Sequence, residues 1–144
     1  MTVTVPDSSA VQPLGSGAAK ILLYSDNAAV RAEIKDCVGD TVGAASRPVQ
    51  WTEVATYQMA MIKCQAETYD LIVMDNETGK LGGVGLVREM RNELDWQPVV
   101  LLVLARQQDA WLGAWSGADA AVLQPVDPFQ LRALVAKLLG ISEA

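Results

Sequence analysis

From Lys20 onward the sequence repeats one pattern, a short run of apolar residues followed by a longer stretch with helical spacing. The runs are Ile21–Tyr24, Val49–Val54, Leu71–Met74, Val99–Leu104 and Ala120–Leu123. Several are almost continuously apolar, as parallel strands must be when helices cover both faces of their sheet. The segments between them fit helices. Val30, Ile34, Cys37 and Val38 fall on one face of the first. Ala55, Met59, Ile62 and Ala66 are expected to line the buried face of the second, with Tyr57, Met61 and Cys64 beside them. Leu86, Val87, Met90 and Leu94 line the third, a short fourth carries Trp111 and Trp115, and the fifth carries Leu131, Leu134, Val135 and Leu138. Five such repeats predict an α/β protein with a five-stranded, parallel, doubly wound sheet in the order 2-1-3-4-5. That order places a site beyond the carboxyl ends of the first and third strands.

The 144 residues suit one domain. Residues 1–18 read as a flexible tail, small and polar and interrupted by Pro6, Pro13, Gly15 and Gly17. Its apolar residues Val3, Val5, Val11 and Leu14 make it a candidate partner-binding segment. Residues 19–140 form the folded domain, and 141–144 are the C-terminal end. The N-terminus lacks the basic region and apolar core of a signal peptide, and no stretch reaches the ~18 apolar residues of a membrane span. A cytoplasmic location is therefore expected.

Charge and residue types exclude several functions. A net charge of −6, with the eleven Lys and Arg scattered, argues against nucleic acid, whose phosphates call for a basic surface. No histidine is present, which removes the commonest general base and the usual catalytic triads. The two cysteines, Cys37 and Cys64, sit within apolar helical patterns and are expected to be reduced core thiols. Neither CxxC nor a Cys/His cluster occurs. Gly79, Gly82, Gly83 and Gly85 lack the spacing and following Lys-Ser/Thr of a phosphate loop, and read as a tight loop after the third strand. An enzyme is not expected, nor a small-molecule substrate.

The strand ends carry the polar residues. The first strand ends in Ser25-Asp26-Asn27, the third in Asp75-Asn76-Glu77, and the fifth in Gln124-Pro125, followed by Val126-Asp127-Pro128. Here ILLYSDN, DLIVMD and GADAAVLQPVDPFQL resemble the receiver domain of two-component response regulators, over about residues 19–140. The resemblance implies a flavodoxin-like fold. It also implies an acidic pair after the first strand, a phosphoacceptor Asp after the third, a hydroxyl residue after the fourth, and Lys-Pro after the fifth. In that arrangement carboxylates hold Mg²⁺, the lysine grips a phosphate oxygen as a point charge, and the hydroxyl bonds another. Asp75 matches the phosphoacceptor and Asp26 one member of the acidic pair. Ser25 replaces the other carboxylate, Leu104 the hydroxyl, Ala121 the switch aromatic, and Gln124 the lysine. The pocket is thus expected to be degenerate, with Asp75 vestigial. Asp26, Asp75 and the Glu77 carbonyl are the candidates for any weak Mg²⁺ binding. Each missing charge-stabilising contact is worth about 2.7–4 kcal/mol in a site of this kind. The larger Leu104 and smaller Ala121 also suggest that Leu104 fills the space a switch aromatic would visit.

What is left is a scaffold for binding proteins. Trp111 and Ala114 are expected on the sheet side of the fourth helix, so Leu112 and Trp115 face outward as an interface candidate. Trp51 is expected in the core, Trp96 as a loop cover, and Met59 and Met61 as core filler. YSDN, WLGAWSGADAAV and PVDP further resemble orphan receiver-like proteins of mycobacteria and related actinobacteria. That resemblance implies an accessory or regulatory subunit of the proton-pumping NADH–quinone oxidoreductase, respiratory complex I. It would sit peripherally at the inner face of the plasma membrane. The competing expectation is a single-domain phospho-switch that uses Asp75 with weak Mg²⁺.

Overall fold

A computed structural model describes residues 17–75, 82–105 and 117–140, the side chains of 82–84 excepted. The elements are β1 (Ala19–Tyr24), α1 (Ala28–Val38), β2 (Thr41–Val42), β3 (Arg47–Val54), α2 (Tyr57–Ala66), β4 (Leu71–Asp75), α3 (Gly82–Glu93), β5 (Val100–Leu104), β6 (Ala120–Leu123) and α4 (Pro128–Leu138). They build a sheet in the order β2-β3-β1-β4-β5-β6. Its five long strands are parallel and have the predicted order, with β1 and β4 side by side at its centre.

The sixth strand was not legible in the sequence. Gly39 leaves α1 at φ 88°, and Thr41–Val42 then pairs antiparallel with Arg47–Pro48 at the sheet edge. Two residues are too few to show a period. Pro48, which has no N–H to donate, is tolerated where the sheet ends.

Alternation along the strands sorts the core into two layers. Leu22, Tyr24, Ile72, Met74, Leu102 and Leu104 point to the side covered by α2 and α3. Ile21, Leu23, Leu71, Val73, Leu101 and Val103 point to the side covered by α1 and α4. β4 and β5 are buried at every residue, as their unbroken apolar runs require. The expected faces of α3 and α4 are also found, with Leu86, Val87, Met90 and Leu94 buried on one, and Leu131 and Val135 on the other.

Helix α2 is turned the other way from the expectation. Ala60, Met61 and Cys64 are buried with Tyr57 beside them, whereas Met59 and Ile62 are 43% and 56% exposed. The helix is apolar on most of its circumference, so periodicity cannot choose a face. Thr56 caps it, its hydroxyl accepting from the Met59 N–H at 3.1 Å, and small Ala60 lets the helix lie close to the sheet. Met59 is therefore not core filler.

The glycines also differ from expectation. Helix α3 begins at Gly82, so Gly82, Gly83 and Gly85 belong to it rather than to a loop. The apolar contacts of Leu86, Val87, Met90 and Leu94 outweigh the ~1 kcal/mol that each interior glycine costs a helix.

Both cysteines are free thiols, but only Cys64 is buried, and Cys37 is half-buried at the rim of its layer. Trp51 is likewise half-buried at the edge, its Nε1–H donating to the Gly39 carbonyl at 3.3 Å. Trp96 covers the other layer as expected, donating to the Cys64 carbonyl at 2.8 Å.

Candidate functional site

The carboxyl ends of β1 and β4 bring Ser25 and Asp75 together. Ser25 is fully buried and Asp75 is 4% exposed. The Ser25 hydroxyl donates to Asp75 Oδ2 at 2.8 Å and accepts from the Asn27 N–H at 3.1 Å. Its single proton goes to the carboxylate rather than to the Asn27 carbonyl at 3.4 Å, because the charged acceptor at the shorter distance makes the stronger bond. The Ser25 N–H is paired with the Val54 carbonyl of the neighbouring strand.

Two residues hold this turn that the sequence reading did not assign to the site. Asn27 caps α1, its side-chain oxygen accepting from the Ala29 N–H at 2.9 Å and the Val30 N–H at 3.4 Å. Arg31 donates to the Ser25 carbonyl and also to Glu53, which Lys35 holds from the other side at 2.8 Å. The Lys35 and Arg31 hydrogen bonds hold the Glu53 carboxyl below the usual carboxylate range. An Asn just before a helical pattern was the available signal for the cap. Nothing in the sequence marked Arg31.

The other expected residues lie beside this pair or outside the described residues. Asp26 is exposed at the strand end. Leu104 ends β5 and is 1% exposed, packed with Tyr24, Met74 and Leu86. Gln124 follows β6 half-buried, its N–H donating to the Leu104 carbonyl at 2.8 Å, with a cis bond to Pro125. Ala121 is exposed and lines a hollow of about 410 Å³ with Leu104, Leu123, Gln124, Pro125 and Gln130. Leu104 thus serves the core while open space remains at Ala121, so it does not fill all the room a switch aromatic would use. Glu77, Leu112 and Trp115, together with Val3, Val5, Val11 and Leu14 of the tail, fall outside the described residues.

The receiver resemblance implies Mg²⁺, and the donor set tests it. No group of three His, Cys, Asp or Glu side chains able to hold a metal occurs among the described residues. One oxygen of Asp75 is engaged by a neutral hydroxyl, and the position that would supply a further carboxylate is Ser25. Among the described residues the acidic set is thus Asp26 and Asp75, one carboxylate fewer than the receiver resemblance implies.

A doubly wound sheet with a buried aspartate at the end of a central strand and an X-Pro after the edge strand is the arrangement that the receiver resemblance implies. No protein-family model matches the chain. It is, however, 35% identical over 127 residues to an uncharacterized response regulatory protein of Mycobacterium tuberculosis strain H37Rv, covering 88% of this chain and 96% of that one. A probable transcriptional regulator of Porphyra purpurea is 30% identical over 123 residues, and the match spans 47% of that longer protein. Among solved structures, a putative response regulator from Chloroflexus aurantiacus superposes with a TM-score of 0.73 at 16% identity, covering 85% of this chain and 98% of that one. The chemotaxis response regulator CheY4 of Vibrio cholerae gives 0.70 at 19% identity, covering 84% and 98%. The structures establish the fold, and the mycobacterial relative establishes the family. This chain belongs to the response regulators, as a receiver domain. Receiver domains are regulators that work by binding protein partners. Among the described residues no helix is long and apolar enough to cross a membrane.

Proposed function

We propose that this chain is a non-catalytic receiver that regulates or completes a larger assembly by protein–protein binding, independently of phosphorylation. The observation that carries this reading is the Ser25–Asp75 hydrogen bond, in a pocket whose lysine and hydroxyl positions are Gln124 and Leu104. Phosphorylation replaces the single negative charge of the aspartate with nearly two, spread over the phosphoryl oxygens, and such charge is stabilised by cations and donors aimed at it. Here those positions offer a neutral amide and an apolar side chain. Asp75 is on this reading a buried polar anchor of the turn after β1.

The partner we propose is the proton-pumping NADH–quinone oxidoreductase, which would place the protein at the inner face of the plasma membrane through the complex. Support comes from the likeness of YSDN, WLGAWSGADAAV and PVDP to the mycobacterial receiver-like group, and from the 35% identity to the Mycobacterium tuberculosis relative. Residues 1–18 would contribute a partner-binding segment, and Leu112 and Trp115 a second contact. Affinity purification of the tagged full chain from actinobacterial membranes is expected to return dehydrogenase subunits, and their absence would remove this partner.

A second reading has its own support. Asp75 and Asp26 are both retained at the strand ends, and the relatives are response regulators. A single-domain phospho-switch would use Asp75 with weakly held Mg²⁺. Acetyl phosphate with Mg²⁺, followed by intact-mass measurement, separates the two. The native chain is expected to stay unlabelled while Ser25→Asp/Leu104→Thr/Gln124→Lys gains one phosphoryl group at Asp75. Labelling of the native chain would favour the switch.

A further inference from the structure

A second surface, unconnected with the strand-end pocket, lies where α1 meets the start of α4. Phe129 is 84% exposed, although its backbone is fixed by the Asp127 cap, which accepts from its N–H at 2.9 Å. An aromatic ring left in water beside ordered backbone is a costly choice that binding would repay. Pro128, the preceding residue, borders a hollow of about 500 Å³ together with Ala29, Ala32, Glu33, Asp36 and Cys37 of α1. Successive turns of α1 present alanine, alanine and a half-buried thiol to this hollow, so its floor is apolar and shallow-walled, and its rim carries two acids. On the other flank Phe129 and Arg132, one turn apart, border a smaller hollow beside Gly43 and Ala44. Pro128 thus borders a shallow apolar socket on α1, and the exposed ring of the next residue, Phe129, is the nearest projecting group.

We propose that this face pairs two copies of the chain about a two-fold axis, Phe129 of each entering the socket of the other. A two-fold contact is made from one patch used twice, so the patch must hold both the projecting and the receiving part. Adjacent Phe129 and the Ala29–Ala32–Pro128 socket meet that condition. Charge agrees with shape: as Phe129 enters the opposite socket, Arg132 one turn on approaches the Glu33 and Asp36 rim of that copy. The pair of ion contacts is made twice, which offsets locally the repulsion between two chains of net charge −6. Neither Asp75 nor Ser25 takes part, so the dimer is independent of phosphorylation and of the proposed respiratory partner.

Sedimentation velocity of the full chain, from a few μM to about 200 μM, tests this pairing, a micromolar dimer being what a small face of this kind supports. The native chain is expected to move from monomer to dimer across that range, less readily at high salt. Phe129→Ser is expected to weaken the dimer about tenfold or more, because an aromatic anchor dominates a small contact. Arg132→Glu should weaken it as well, and Arg132→Glu combined with Glu33→Arg and Asp36→Arg should restore it. All four positions are on the surface, and circular dichroism confirms that each variant is folded. A native chain that stays monomeric at about 200 μM overturns the proposal, as does a dimer that Phe129→Ser and Arg132→Glu leave unchanged.

Discussion

On one side of the strand-end pocket, where β1 and β4 end, Ser25 and Asp75 are knitted to each other and to the turn that starts α1. On the other, where β5 and β6 end, Leu104, Ala121 and Gln124 surround open space, and Leu104 belongs to the core. Both halves sit on the same sheet, in the fold shared with the receiver structures. They differ in what their side chains can do. The first half keeps polar atoms and satisfies them with each other. The second combines the apolar Leu104, Ala121 and Leu123 with the amides of Gln124 and Gln130. The side chains at the strand ends can therefore differ without loss of the fold, because the core that holds the sheet is made of other residues.

Three measurements can break or sharpen that contrast. The largest effect is expected in the apolar half. Leu104→Thr places a hydroxyl at this position but removes buried volume, and should lower unfolding free energy by about 2–4 kcal/mol in urea titrations. A cost under about 0.5 kcal/mol would mean that Leu104 is not a core residue.

Ser25→Ala should cost less, about 1–3 kcal/mol at neutral pH, because a buried carboxylate loses a donor while little apolar contact is removed. If Ser25→Ala proves neutral, the Ser25–Asp75 bond is not what stabilises the polar half.

The smallest effect is expected just outside the pocket. The Glu53 carboxyl is held below its ordinary 4.5 by Lys35 and then Arg31. Its contribution should therefore be fully present above about pH 4.5 and disappear as pH falls through the lower folded value. The group is partly exposed, so solvent screening limits the contribution to about 0.2–1 kcal/mol. Glu53→Gln should lower stability by that amount at pH 7 and converge with the native chain in acid, as followed by thermal melts across pH.

The strands were the most legible part of the fold. β4, β5 and β6 begin and end within a residue of the apolar runs, because strands buried on both faces leave no other reading of Leu71–Met74 or Val99–Leu104. Asp75, Ser25, Leu104 and Gln124 could be placed at the strand ends because they terminate those runs. Helix α2 was the least legible: a helix apolar on most of its circumference carries little phase, and packing of Ala60, Met61 and Cys64 against the sheet leaves Met59 and Ile62 outward.

What the sequence determined by itself was a five-repeat parallel sheet and the identities of the groups at its carboxyl edge, since both follow from period and position along the chain. Only the tertiary structure decided that Ser25 gives its proton to Asp75, and that Phe129 stands beside a socket on α1. Those contacts join residues 50 and about 100 positions apart. Pairing at that separation depends on how the layers pack, and no local pattern in the chain encodes it.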